Sequence, residues 1–277
     1  MKAHQRFRNS SSPDTFWEVN KATDKFEFQV IEDGWIKIPA ESYSLGFEPV
    51  KKTGRLLIGL NQLFLRISGK NVLVDTGLGD KFDYTAYGLL DYARPRRLLV
   101  GLADAGISTA DVNIVILTHL HFDHSGGGTR RLDGLSLAPT FTNALYYVQK
   151  SELDYARSPE PSGADDYILA DFEPLIDSGQ LKVIEGDHEI IPNLKIHLAP
   201  GHSSGHQVVT ARSKTNTVFF PGDLFAVREH ANLNLVTSFD YDQGLLLRER
   251  KKWISAAHCG RWICVFCHAV CDAVGFI

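Results

Sequence analysis

Three histidines and an aspartate fall within the six positions 119–124, as His119, His121, Asp123 and His124 of Thr118-His119-Leu120-His121-Phe122-Asp123-His124. Imidazole and carboxylate donors together suit zinc, manganese or iron(II), and no cysteine stands in the loop to bias the choice. His119 and His121, two apart, reach the same side of an extended segment. Asp123 and His124 follow once the chain bends, and they address a second ion. Each set is short of the three protein ligands that a catalytic zinc takes. Further donors have to come from downstream.

The chain supplies them after apolar runs of strand length. His202 sits in Pro200-Gly201-His202-Ser203-Ser204-Gly205-His206, Asp223 in Pro221-Gly222-Asp223, and His268 after Ile263-Cys264-Val265-Phe266-Cys267. Three strand ends, each delivering a His or an Asp, converge at one edge of a sheet. His258 competes with His268 for the last place but lies in a predicted helical stretch, so His268 is preferred. Asp75, in Val74-Asp75-Thr76-Gly77, is expected either to hydrogen-bond a ligand histidine from behind or only to stabilise its turn. His206 braces or ends the loop carrying His202, and His230 is placed in the pocket. His4, His188, His197 and His258 are assigned surface or structural places.

The elements that must hold these residues are read from periodicity. Phe26–Ile31 and Trp35–Ile38 alternate about Asp33-Gly34 and predict a hairpin. Strands are expected at 60–67 and 72–75, joined by a turn, and Ile114–Leu117 is a continuous apolar run fit for a buried strand. Further strands are expected at 145–148, 181–184, 195–198, 207–211, 217–220 and 262–267. Helices are expected at 96–105, closed by Gly106, and near 151–157, 165–176 and 245–257. Residues 1–24 read as a tail or covering segment. No repeat or linker divides the chain, so residues 1–277 are taken as one domain.

With 44% apolar and 22% charged residues the chain is that of an ordinary globular protein. A net charge of −4 without a basic run offers no footprint for nucleic acid. No stretch approaches the ~20 apolar residues of a membrane helix, and the N-terminus lacks the apolar core of a secretory signal. The reading is a soluble cytoplasmic protein with no membrane or nucleic-acid partner, and a homodimer is compatible with it. Cys259, Cys264, Cys267 and Cys271 cluster near the end of the sequence. Cys264-x-x-Cys267-His268 matches the haem-attachment pattern, but haem attachment needs export. A structural zinc site is poor because 264 and 267 face opposite sides of a regular strand. Buried thiols are the expectation.

Thr118-His119-x-His121-x-Asp123-His124, Gly201-His202, Gly222-Asp223 and a strand-terminal His268, with Val74-Asp75-Thr76-Gly77 upstream, resemble the metallo-β-lactamase superfamily. The likeness spans roughly residues 56–268. It implies an α/β fold, a four-layer αββα sandwich with the site at one edge of two sheets. It also implies two Zn(2+) ions, the first on His119, His121 and His202, the second on Asp123, His124 and His268, with Asp223 bridging. Lactam-cleaving members of the best-known class carry cysteine in place of Asp223, which points this chain towards esters, lactones, thioesters or phosphoesters. The His119–Gly127 loop, Phe141-Thr142-Asn143-Ala144, Gly201–Gln207 and Phe239-Asp240-Tyr241-Asp242 are similar to quorum-quenching lactonases. Those enzymes hold a tyrosine where this chain has Ala226.

The resemblance implies a hydrolase of small-molecule lactones or related esters, in which a bridging hydroxide attacks and Asp123 and Asp223 serve the catalysis. Organophosphate, aryl-ester or thioester hydrolysis stays open on the same site. A mononuclear iron sulfur dioxygenase and an inactive binding protein are the readings of another class. Specificity is expected in loops 39–54, 78–95 and 225–240, with Phe225, Phe239 and Tyr241 as an apolar wall. In the resemblance a further strand follows His268, and the short tail 269–277 is expected to leave an exposed edge and to weaken the second metal site.

Overall fold

The computed structural model describes residues 17–18, 26–45, 48–49, 54–82, 97–134, 136–233 and 235–277. Nearly all of the 1–24 segment and residues 83–95 of the second specificity loop lie outside the described residues, as do positions 46–47 and 50–53 of the first.

In chain order the first strands are β1 Trp17–Glu18, β2 Glu27–Pro39, β3 Tyr43–Leu45, β4 Glu48–Pro49, β5 Arg55–Ile67 and β6 Lys70–Val74. Then come α1 Arg97–Asp104, β7 Ile114–Ile116, α2 Phe122–Ser125, β8 Thr129–Asp133, β9 Ser136–Pro139 and β10 Leu145–Gln149. Helices α3 Lys150–Arg157 and α4 Leu169–Asp177 lead to β11 Leu181–Ile184, β12 His188–Ile191, β13 Leu194–Leu198, β14 Gln207–Arg212 and β15 Thr217–Phe220. The chain closes with β16 Leu235–Thr237, α5 Gln243–Gly260, β17 Ile263–Val265 and β18 Val274–Gly275.

Two sheets carry the fold. One runs β1-β2-β5-β6-β7-β10-β11 and the other β12-β13-β14-β15-β17-β18. Side-chain alternation along each strand sorts the core into layers. Leu63, Leu65, Val72, Val74, Ile114 and Ile116 of the first sheet pack against Leu194, Ile196, Val209, Val218, Phe220 and Val265 of the second. The intervening Phe64, Leu73, Val115 and Tyr146 point outward to α1, α3 and α4, through Leu98, Leu102, Leu153 and Phe172. Val208, Phe219, Cys264 and Phe266 point outward to Leu246, Trp253 and Ala257 of α5. Both sheets are therefore covered on both faces, which is why their central strands read as continuous apolar runs. The expected αββα sandwich is what the packing produces.

Two expectations change. The predicted hairpin at 26–38 is one strand: β2 pairs antiparallel with β5 along its whole length, interrupted only by a register shift between Glu32 and Gly34. Asp33-Gly34 is a bulge and not a turn. The Asp33 carboxylate is buried and accepts the Leu98 amide at the start of α1, 3.0 Å. An aspartate that holds a helix from below imitates a turn signal in the sequence. The tail after His268 also folds: Val274–Gly275 pairs antiparallel with Cys264 and Val265. That strand covers β17, so the exposed edge expected there is not seen.

The loop 119–128 is clamped from below. A Cβ added at Gly126 or Gly127 would lie 2.2 Å from the Leu78 carbonyl oxygen or 2.1 Å from that of Thr76, so backbone meets backbone with no room for a side chain. The Lys81 ammonium, fully buried, donates to the Gly126 carbonyl and pairs with Asp171 at 2.6 Å.

Candidate metal centre

Five of the seven donors stand where a strand of one of the two sheets gives way to a loop, and Asp123 and His124 lie in the short α2. His119 and His121 follow β7, His202 follows β13, Asp223 begins the turn after β15, and His268 follows β17. Gly222 has φ +52°, and an added Cβ would lie 2.7 Å from His206 Nε2, so the turn that presents Asp223 needs glycine.

The side chains converge as two sets. Ligand atoms of His119, His121 and His202 lie within 4.8 Å of one another, and so do those of His124, Asp223, Cys267 and His268. Asp223 stands between them. Its Oδ2 is 3.3 Å from His202 Nε2, while its Oδ1 is 3.2 Å from His124 Nε2 and 3.3 Å from His268 Nε2. Asp123 Oδ2 approaches the second set, 3.5 Å from His268 Nε2 and 3.7 Å from His124 Nε2. All seven predicted donors are thus brought together, with His268 in its place despite the short tail.

A layer of partners fixes which nitrogen faces inward. His124 Nδ1 donates to Asp75 Oδ2 at 2.8 Å, His202 Nδ1 to Asp240 Oδ1 at 3.0 Å, and His268 Nδ1 to the Gly59 carbonyl at 2.7 Å. Asp75 also accepts the Thr118 amide at 2.7 Å and the Thr118 hydroxyl at 2.9 Å, so it holds the metal loop and does more than stabilise a turn. His206 Nδ1 donates to the Ala199 carbonyl, and its Nε2 accepts the Asp223 amide at 3.1 Å. With Nδ1 engaged, His124, His202 and His268 aim Nε2 at the centre, while His121 turns its Nδ1 towards His202 Nε2 at 3.2 Å. Nε2 of His119 and His124 are buried and make no hydrogen bond. Orphaned imidazole nitrogens facing a carboxylate are costly unless a cation takes their lone pairs, so the donor set fits divalent metal.

Charge tells the same story. Burial and the neighbouring histidines hold His119 and His121 well below the usual imidazole range, so both are neutral donors. Burial alone would lower His124, His202 and His268 too, but Asp223 leads the carboxylates that raise all three. Asp223 is itself driven well below its ordinary value; burial opposes this, and His268, His124 and His202 outweigh it. In the metal-free protein these three histidines therefore bind protons more tightly than free imidazole does, and a metal competes with those protons. Calorimetry in buffers of differing ionisation heat should find protons released on zinc loading, with affinity rising as pH rises. Release near zero would show that these protons are absent.

Above the centre lies a cavity of about 540 Å³ reached by His121, Asp123, His202, Asp223 and His268. Ile36, Ile38, Ile58, Phe122 and Phe239 give it an apolar flank, and Tyr43, Asp166 and His230 add polar groups. His230 lines the cavity as expected. It is buried, neither ring nitrogen makes a hydrogen bond, and burial with the nearby Arg250 lowers it to about 3. Phe225 is corrected: its ring is fully buried in the layer under α5, 6.0 Å from the Arg250 guanidinium, because the turn 222–225 winds it inward. Tyr241 is not among the lining residues either; it is half exposed and packs on Tyr155.

Sequence reasoning missed Asp240, Glu152, Tyr43 and Cys267. Asp240 lay within a stretch already singled out, Phe239–Asp242. Glu152 is fully buried in α3 and accepts the Leu120 amide at 2.9 Å, the Ser203 hydroxyl at 2.6 Å and the Gly205 amide at 2.9 Å, tying the two metal loops together. Nothing in Ser151-Glu152-Leu153 signals that role. The Tyr43 phenol is raised by burial and then by Asp223, so it keeps its proton. Burial and Asp223 likewise push the Cys267 thiol well up.

Comparison with known proteins bears on the same residues. The family described as "Metallo-beta-lactamase superfamily" matches residues 59–268. An N-acyl homoserine lactonase of Bacillus cereus is 31% identical over 146 residues, 49% of this chain and 51% of that protein. An N-acyl homoserine lactonase of Rhizobium radiobacter is 33% identical over 111 residues, 39% of this chain and 38% of that one. The chain thus matches about half the length, or less, of these curated relatives. Among solved structures, a probable metal-dependent hydrolase from Staphylococcus aureus has TM-score 0.79 at 21% identity, covering 88% of this chain and 89% of that one. An N-acyl homoserine lactone hydrolase with N-hexanoyl-L-homoserine at its catalytic metal centre has TM-score 0.71 at 24% identity, covering 90% and 95%. At such identities the structures speak for the fold.

Proposed function

The chain belongs to the metallo-beta-lactamase superfamily, and from that premise we propose that it is a dinuclear zinc hydrolase that opens lactones, N-acyl homoserine lactones foremost. The observation that carries this reading is the bifacial Asp223, one carboxylate oxygen turned to each histidine set. Held by His119, His121 and His202 on one side and by Asp123, His124 and His268 on the other, two zinc ions would supply Lewis acidity and a water deprotonated near neutral pH.

The chain's own residues do the rest. Asp123 lines the cavity beside the second set and holds a proton of the attacking water at its carboxylate. Tyr43 keeps its phenolic proton and faces the same space, so it can donate to the oxygen that leaves. His230 offers a neutral imidazole to a polar part of the substrate, since neither of its nitrogens is spoken for. The apolar flank of Ile36, Ile38, Ile58, Phe122 and Phe239 takes an acyl chain and excludes water.

Ala226 supports a second reading on the same centre, hydrolysis of aryl esters or organophosphates. It lines the cavity where similar lactonases hold a tyrosine, and its methyl group can offer no proton. The test is a zinc-reconstituted protein assayed against acyl-homoserine lactones, simple lactones, aryl esters, thioesters and phosphotriesters. The proposal expects ring opening of the acyl lactones to have the highest kcat/KM. Preference for phosphotriesters or aryl esters would move the function to the second reading. A single bound iron with no hydrolysis would replace both.

A further inference from the structure

The second ligand set contains an atom that the family-derived assignment does not use. Cys267 Sγ lies 3.1 Å from Asp223 Oδ1, and it shares the 4.8 Å cluster with His124, His268 and Asp223. That cluster includes Cys267 and not Asp123. Beside it, His124 Nε2 is buried without a hydrogen bond and directed at the same carboxylate oxygen. Cys267 is itself 2% exposed and belongs to the core between the sheets, while Asp123 lines the cavity. The two residues therefore approach the second set from opposite sides.

We infer that Cys267 is a protein ligand of the second metal ion, giving it a His124–His268–Asp223–Cys267 set closed from the core side. The inference rests on the metal-binding part of the proposed function. With Asp223 shared between the two ions, the sulfur takes the core side of the second ion and leaves its cavity side, beside Asp123, for exchangeable ligands, a coordination number of five that catalytic zinc can reach. As the metal–sulfur bond forms, the proton on Sγ passes to solvent and the sulfur binds as thiolate. Its extra negative charge lowers the net charge of a centre that otherwise holds Asp123 and Asp223 against two dications. A soft sulfur donor also shifts the site away from manganese and towards zinc and cadmium.

Cys264 provides the internal control. It is buried in β17 in the layer against α5, on the face away from Cys267, with the Trp262 carbonyl and the Ile277 backbone beside its sulfur.

The test uses the full chain loaded with zinc or with cobalt(II). Zinc-edge X-ray absorption of the wild-type protein should require a sulfur neighbour at about 2.3 Å. The cobalt protein should show a sulfur-to-metal charge-transfer band in the near ultraviolet, kept in Cys264→Ser and lost in Cys267→Ser. Loss of the thiol should also weaken the second zinc by at least the roughly 10–100-fold that removal of an outer partner costs. A protein holding two metals with no sulfur neighbour and no such band overturns the inference and leaves the proposed hydrolase standing. A protein that takes up no metal overturns both. Should Cys267→Ser fail to fold, the wild-type spectra decide alone.

Discussion

His121→Ala and Asp223→Ala should each lower the proposed lactone hydrolysis by about 10²–10³-fold or more, the scale set by loss of one group that stabilises charge in a transition state. The expectation follows from where the two side chains end. His121 lines the cavity and meets His202 Nε2 at 3.2 Å, so its removal leaves the first set with two imidazoles. Asp223 is the contact between the sets, and its removal leaves His124, His202 and His268 with their main counter-charge gone. Neither truncation opens a hole in the apolar core, because both side chains border the cavity, so a folded protein should remain. Zinc content per chain, hydrolysis and circular dichroism together make the check. Undiminished hydrolysis by a variant that has lost its metal would sink the mechanism.

Glu152→Ala should prove nearly as damaging although Glu152 is not placed among the ligands. Its carboxylate receives the Leu120 amide from one loop and the Ser203 hydroxyl and Gly205 amide from the other, with the Tyr167 hydroxyl at 3.3 Å. Burial raises its proton affinity while these donors oppose that rise. Removing the acceptor strands buried donors at about 1–3 kcal/mol each, so a destabilisation of about 3 kcal/mol or more is expected. It also releases His119, His121 and His202 from a common anchor, and zinc affinity should fall roughly 10–100-fold. Glu152→Gln keeps the shape but turns an amide N–H towards donors, so it should not restore the loss. Zinc affinity unchanged in Glu152→Ala would show that the loops hold their geometry without it.

The centre was legible from the sequence because donors at strand ends obey a local rule. A His or Asp that follows an apolar run sits at a sheet edge, and His119, His202, Asp223 and His268 all announce themselves that way. The layers were legible for a related reason: continuous apolar runs such as Ile114–Leu117 need both faces covered. What escaped depends on partners far along the chain. Asp33-Gly34 imitated a turn because its true partner, the Leu98 amide, lies 65 residues away. Alternation correctly put Cys264 and Cys267 on opposite faces, yet nothing local says which face meets Asp223. Phe225 was read as pocket wall from its nearness to Asp223 in sequence, whereas a single helical turn carries it to the other side of the sheet.

One seam has a bearing on how the molecule is made. Gly59 and Asn61 of β5 bond to the segment 266–269 through the Gly59 and Asn61 amides, the Asn61 side chain and His268 Nδ1. The partners of that last bond are 209 positions apart. Contacts between such distant segments form late, since the entropy of closing so long a loop is lost before any contact rewards it. The His119, His121 and His202 set asks for a much shorter closure. If both sets bind metal as proposed, the second set would therefore be completed after the first, and a chain holding one ion would be an assembly intermediate as much as an under-loaded enzyme.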